Sequence, residues 1–280
     1  IMWPLARSRL GLDQAQRCRT DDDFREGLLA HMEEHPIEGD AEVLAFWRSE
    51  YDAMGGTSRS EFVQWISART SMFERGRVMR GVFGNSRAPL DIASAMAEGK
   101  VILAKLSVGT LGPVSAYFTG IAMVDAVEEA TFERARIPSE DRRPFALVCD
   151  EFQNFLCGRG VGSAAPSEAS DSFATLLAQA RKYNLRLVLA HQFAGQLSSQ
   201  VLTAIFGNVS STVCFRVGVT DCDIMARQMD IDSAVELRSL PSFRAVTRVI
   251  DGASVLPAAS LAVIHPDELE AELAAFAGPR

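Results

Sequence analysis

The chain has 280 residues, of which 48% are hydrophobic and 23% charged, with a formal net charge of −8. This composition excludes a disordered chain, and no window approaches a bilayer-spanning run of uninterrupted apolar residues. The acidic balance argues against a protein coated in basic surface for nucleic acid, though not against a narrow basic channel inside a ring.

Ile1-Met2-Trp3-Pro4 is followed by no long apolar run, so no signal peptide is expected. Residues 1–19 read as a connecting segment. Residues 20–98 read as an all-helical domain. Thr20 precedes three aspartates, Asp21 to Asp23, and acids favour the N-terminal end of a helix dipole. Helices are predicted over Asp21 to Glu33, Asp40 to Tyr51 and Ser60 to Glu74, with Gly55, Gly56 and Thr57 separating the last two. Phe62, Trp65, Ile66, Met72 and Phe73 give the third its helical spacing. A short helix from Leu90 to Glu98 ends at Gly99.

The pattern then changes to alternating strand and helix, which points to an α/β fold with a parallel sheet. Val101 to Leu106, Phe145 to Cys149, Leu187 to Ala190 and Thr212 to Val217 read as strands, the first two as buried ones. Helices are predicted over Val114 to Arg136 and Ser170 to Tyr183, with a Gly/Ser/Ala-rich loop from Gly158 to Glu168 before the second. Ala245 to Ile250, Asp251-Gly252 and the apolar run after them read as an edge hairpin, and residues 266–280 as a C-terminal helix or tail. Cys18, Cys149, Cys157, Cys214 and Cys222 form no C-x-x-C pair and do not cluster with the histidines. A reduced, cytosolic compartment and no zinc site are the simpler readings.

The sharpest feature is Phe145-Ala146-Leu147-Val148-Cys149-Asp150-Glu151, an apolar strand ending in two carboxylates. Ligands of open parallel sheets sit beyond the C-terminal strand ends. A nucleoside triphosphatase needs one acid for magnesium and one group to orient or activate water. Asp150 suits the metal and Glu151 the water; a solvated acidic turn is the competing reading, since the motif is short. Leu187-Val188-Leu189-Ala190-His191-Gln192 brings a second strand to the same rim, where Gln192 can bond the water or the terminal phosphate; His191 reads as structural. On the preceding helix Phe173, Leu176, Leu177 and Ala180 form a buried stripe, and Arg181 lies roughly 80° from Phe173, at its margin. From there it can reach across a subunit interface as an arginine finger in trans, or be an ordinary surface arginine. Arg216 is the reserve candidate: a charge inside an apolar strand needs a partner, either phosphate or a carboxylate such as Asp221 or Asp223. A phosphate-binding G-x-x-x-x-G-K-[ST] loop is absent: the one Gly-Lys pair, Gly99-Lys100, is followed by Val101, and position 94 is Ser. Either an upstream segment carries that loop or the protein does not hydrolyse ATP.

The segments PFALVCDEFQNF, LLAQARKYNLRLVLAHQFAGQL and FGNVSSTVCFRVG, taken in order, resemble the ATPase domains of conjugative and type IV secretion coupling proteins in the HerA–FtsK superfamily. GKVILAKLSVGTLG looks like the strand and turn before the Walker B segment there, and the resemblance runs from about Asp21 to His265. It implies a RecA-like P-loop core over residues 99–265, incomplete at its N-terminal side, with the helical domain as an insertion. It implies Asp150 and Glu151 as the Walker B acids, Asp150 holding Mg2+ through water, with Gln192 and Arg181 at the family's glutamine and proposed finger positions. It further implies ATP bound between subunits of a homo-hexamer and DNA pumped through the pore. The associated machinery would be a secretion or conjugation system with its relaxase, at the cytoplasmic face of the inner membrane, anchored by an N-terminal region not in this chain. The Gly158–Glu168 loop is longer than the family's link, and with Arg159 is expected either to face the pore or a neighbour or to be a disordered insertion. Arg69, Arg75 and Arg77 are the candidate DNA contacts. Two other readings stay open: a non-catalytic DNA- or protein-binding assembly module that lost nucleotide hydrolysis, and a metal-dependent hydrolase built on Asp150 and Glu151 alone. As an isolated chain, without the loop, the protein is expected to be inactive.

Overall fold

A computed structural model describes residues 2–84, 90–156, 168–251 and 254–269, with backbone alone at 69, 75, 156, 168–172 and 251. The Gly158–Glu168 loop with Arg159 lies outside the described residues, apart from the backbone of Glu168, as do Cys157 and residues 270–280 of the tail. The chain divides into two compact units, Ile1–Ala95 with Val101–Met123, and Met96–Lys100 with Val124–Arg280.

The first unit is helical. Asp21 caps the helix Asp22–Glu34, its side chain accepting the Phe24 N–H at 2.9 Å. That bond, then the Arg17 side chain, hold its carboxyl below the usual aspartate range. The segment 1–19 is itself largely helical, and Leu5, Ala15 and Cys18 pack against Leu28. A second cluster joins Leu29, Met32, Trp47 and Tyr51, the last two rings edge-on at 4.6 Å. The helix Gly56–Arg75 begins earlier than predicted: Gly55 is its N-cap in extended conformation, so Gly56 and Thr57 open the helix instead of separating it from its predecessor. Arg19 and Glu74 form a buried ion pair at 2.8 Å.

Asp40 ties the N-terminal helix Met2–Arg7 to this unit. Its carboxylate accepts Trp3 Nε1 at 2.6 Å, Ile37 N at 3.0 Å and Arg7 Nε at 3.1 Å. Burial opposes ionisation there, but these donors outweigh it and leave the pKa below the ordinary aspartate value. A depressed folded-state pKa means the stabilisation is complete above the unfolded value, about 3.9, and is lost as pH falls through the folded one. Thermal unfolding followed by circular dichroism should therefore show a midpoint that drops on acidification. In Asp40→Asn, which keeps the shape but not the charge, that drop should be smaller; an equal drop would place the acid sensitivity elsewhere.

The second unit carries the sheets. β1 (Phe145–Cys149) and β2 (Leu185–Leu189) pair in parallel, Phe145 opposite Leu185 and Cys149 opposite Leu189. The helix Pro113–Glu133, in which the division between units falls, and the helix Glu168–Gln179 match their predicted positions. Phe173, Leu176, Leu177 and Ala180 are all buried, as the stripe requires. Phe173 and Leu177 join Val124, Cys149, Phe152, Leu197 and Val201 in the core, with Leu187 and Leu189 packed against it. The helix Ile92–Glu98 ends at Gly99, whose φ of +70° explains the glycine.

Three strand predictions need correction. Val101 to Leu106 is not a strand: no ladder partner pairs with it among the described residues, and Val101 and Leu103 are 84% and 92% exposed. An apolar run becomes a strand only when a neighbour satisfies its backbone. Phe145 to Cys149 is a strand but is not buried on both faces. Ala146, Val148, Arg186 and Val188 are exposed, because helices of this unit cover only the opposite face. Thr212 to Val217 shortens to β3 (Thr212–Cys214) and, among the described residues, joins no parallel sheet. It pairs antiparallel with β4 (Arg244–Arg248), in the order β3-β4-β7 with β7 (Ala259–Ala262). The C-terminal hairpin forms as read, β5 (Ile250–Asp251) pairing with β6 (Ser254–Val255) and β4 with β7. Among the described residues no helix is long and apolar enough to cross a membrane.

Candidate functional site

Because β1 and β2 are parallel, their C-terminal ends open on one rim. The ladder there is irregular by one residue. Ala190 donates its N–H to the Cys149 carbonyl at 3.0 Å and accepts the Phe152 N–H at 3.2 Å. An unbroken parallel ladder would take that second bond from residue 151, so a bulge inserts one residue at the strand end. Glu151 accordingly adopts φ +50°, in the left-handed region that costs a non-glycine residue about 1 kcal/mol or more. The Glu151 N–H bonds to Asp150 Oδ1 at 3.1 Å, and Phe152, 1% exposed, is locked against Phe173 with its ring edge-on to His191. A buried anchor on one side and a paired strand on the other force the two acids out of the sheet. Asp150 is exposed and Glu151 half-buried.

Both oxygens of the Glu151 carboxylate are occupied. Gln192 Nε2, from just beyond β2, donates to Oε1, and Gln153 Nε2 donates to Oε2 at 2.5 Å. Gln192 is exposed; Gln153 is 5% exposed, and its Oε1 is buried with no partner among the described residues. The turn carrying Gln192 is pinned from a distant element. Asp221, buried in the first turn of the helix Val219–Met229, accepts the Ala194 N–H at 2.8 Å. Burial pushes the His191 pKa down, against the pull of the Asp221 and Glu151 carboxylates, and the ring packs edge-on to Phe152. Burial also raises the Cys149 thiol to about 11, with the Asp150 charge adding to it, so Cys149 is an inert neighbour of the site.

Asp150, Glu151 and Gln192 thus meet at one rim. Arg181 does not join them: it is exposed in the 3-10 turn Ala180–Tyr183, and its side chain has no hydrogen-bond or ion-pair partner among the described residues. Arg216 is not a charge inside a strand. β3 ends at Cys214, so Arg216 projects into solvent and needs no buried partner, and Asp221 is committed to Ala194 instead. Sequence reasoning missed Gln153 and gave Asp221 only as a partner for Arg216. Gln153 has a local signal, standing two residues beyond the strand-end acid. Asp221 lies 27 residues from Ala194 and has none.

Among the described residues no group of three or more His, Cys, Asp or Glu could hold a metal ion. One exposed carboxylate, Asp150, fits an ion like Mg2+ that is held mainly by substrate phosphates and water. A self-sufficient metal hydrolase would need a third ligand, and none stands with Asp150 and Glu151 among the described residues.

No protein-family model matches the chain, and no curated protein matches it. Among solved structures, the plasmid coupling protein TrwB, in complex with the non-hydrolysable GTP analogue GDPNP, is similar at a TM-score of 0.55 and 18% identity. The match covers 91% of this chain and 58% of TrwB. The genome packaging NTPase B204 from Sulfolobus turreted icosahedral virus 2, in complex with AMPPCP, gives a TM-score of 0.37 at 13% identity, over 52% of this chain and 62% of that one. The match thus covers less than two thirds of either protein. The TrwB likeness shows the fold: a RecA-like α/β fold, with β1 and β2 as its parallel element.

Proposed function

We propose that this chain is the Walker B-bearing portion of an ATP-driven DNA-translocating ATPase, a coupling ATPase of conjugation or type IV secretion. The observation that carries the reading is the Glu151 carboxylate, turned out of the sheet at the end of β1 and held by Gln192 from the end of β2. That is where a water attacking a terminal phosphate needs an acceptor. In the proposed step the water oxygen bonds the terminal phosphorus and its proton passes to Glu151. The bond to the bridging oxygen breaks, and that electron pair leaves with ADP. Asp150, exposed beside it, would hold the coordinated water of Mg2+, which when bound neutralises charge on the phosphates. Gln192 would bond the terminal phosphate or the water. Arg181, exposed and unpaired among the described residues, would complete a neighbouring subunit's site in trans.

The rest of the reading follows from the resemblance and the shared fold. The phosphate-binding loop would come from residues outside this sequence. The helical residues 20–98 would be an insertion in the core, and the subunits a homo-hexamer with DNA in its pore. The ring would sit at the cytoplasmic face of the inner membrane through a separate anchor, handing on DNA bound by a relaxase. Arg77, exposed, is the described member of the candidate DNA-contacting arginines. The second reading is a non-catalytic DNA- or protein-binding module that has lost hydrolysis. One experiment separates them. The complete reading frame, including all sequence upstream of Ile1, is expressed and ATP hydrolysis is measured with and without DNA. DNA-stimulated hydrolysis is expected; no hydrolysis and no nucleotide binding would leave the binding module.

A further inference from the structure

A carboxylate that accepts a proton from water must offer an oxygen in one direction and keep it there. Glu151 sits in a backbone conformation that disfavours it, on a bulge, with a half-buried side chain. Its two restraints are unlike. Gln192 is exposed and sits on a turn, free to swing to a phosphate. Gln153 opens the short helix Gln153–Leu156, follows the anchored Phe152, and is 5% exposed. Its amide points one way only: Nε2 bonds Glu151 Oε2 at 2.5 Å while Oε1 is buried and, among the described residues, has no partner. The opposite orientation would set Oε1 against the carboxylate oxygen. An orphaned buried acceptor is tolerated because the charge-assisted bond on the other end is the stronger interaction.

We propose that Gln153 is a positioning residue for Glu151. It is the fixed arm of a two-amide clamp in which Gln192 is the releasable arm, so that Oε1 alone becomes free when Gln192 turns to the nucleotide. The inference rests on the hydrolytic reading of this site. Gln153 touches neither water nor phosphate; it acts by keeping Oε2 occupied and Oε1 aimed.

The test uses the protein from the complete reading frame. Gln153→Met keeps length and volume and removes the donor; Gln153→Glu places a second carboxylate against the first. ATP hydrolysis is measured per nucleotide-binding site, titrated on the same sample with a fluorescent ATP analogue, so that unfolded protein is not counted. A misdirected base is expected to lower kcat by about 10- to 100-fold in Gln153→Met, with KM for ATP within about twofold of wild type. Gln153→Glu should be at least as slow. A kcat per site equal to wild type in Gln153→Met, or a loss carried by KM instead, would overturn the proposal. Absence of hydrolysis in the wild type would instead remove the hydrolytic reading, and this inference with it.

Discussion

Replacing Glu151 with glutamine in the complete protein is expected to reduce kcat for ATP hydrolysis by about 10²- to 10⁴-fold, the usual contribution of a positioned general base. Nucleotide binding should be retained. The geometry explains why the effect is chemical and not a loss of fold. Glutamine matches glutamate in size and loses only the ability to take a proton. The clamp can absorb the change: the amide of the exposed Gln192 can turn so that its Oε1 accepts from the new amide, while Gln153 still donates to the remaining oxygen. Glu151→Ala should behave differently. It leaves two amide donors without their acceptor, one of them on a buried side chain, and an unsatisfied buried donor costs about 1–3 kcal/mol. The melting temperature should therefore fall in Glu151→Ala and barely move in Glu151→Gln, while both lose activity. Hydrolysis by Glu151→Gln within a few fold of wild type, in preparations free of wild-type subunits, would show that Glu151 is not the base.

The clamp also shows where sequence reading works on this chain and where it stops. Local patterns survive folding: the acidic helix start at Asp21 to Asp23, the Phe173–Ala180 stripe and the strand leading to Asp150 all depend on neighbours within a few residues. Val101 to Leu106 fails for the complementary reason. Its composition is that of a buried strand, but strandhood is a property of a pair, and no pairing partner for it exists among the described residues. Thr212 to Cys214 keeps its strand but loses its parallel company, because β4 lies beside it and returns in the opposite direction. The site was legible as residue types at a rim. What was not legible is the bulge that ejects Glu151, since nothing in Cys149-Asp150-Glu151-Phe152 reports that Phe152, not Glu151, bonds Ala190. Gln153 followed from that bulge, and Asp221 from a contact between distant elements.

Arg181→Ala carries the other large expected effect, a loss of about 10³- to 10⁵-fold in kcat if the residue is a finger supplied in trans. Its surroundings allow that role: it is exposed, on a short turn, and its side chain has no hydrogen-bond or ion-pair partner among the described residues. A surface arginine so placed should contribute little to stability, so the melting temperature of Arg181→Ala should match wild type. A loss of activity alone would not separate a finger acting across an interface from one acting within its own subunit. Mixing does. When Arg181→Ala and Glu151→Gln subunits are co-assembled in equal amounts, some interfaces join an intact Glu151 to an intact Arg181 from the neighbour. In a randomly mixed head-to-tail ring about a quarter of the interfaces would be so composed. Activity should then return to a measurable fraction of wild type, although each variant alone is nearly inactive. If Arg181 served its own subunit, no site in the mixture would hold both groups, and activity would stay at the level of the separate variants. Full activity of Arg181→Ala by itself would pass the role to Arg216, which projects into solvent beyond β3 and is equally free to cross an interface.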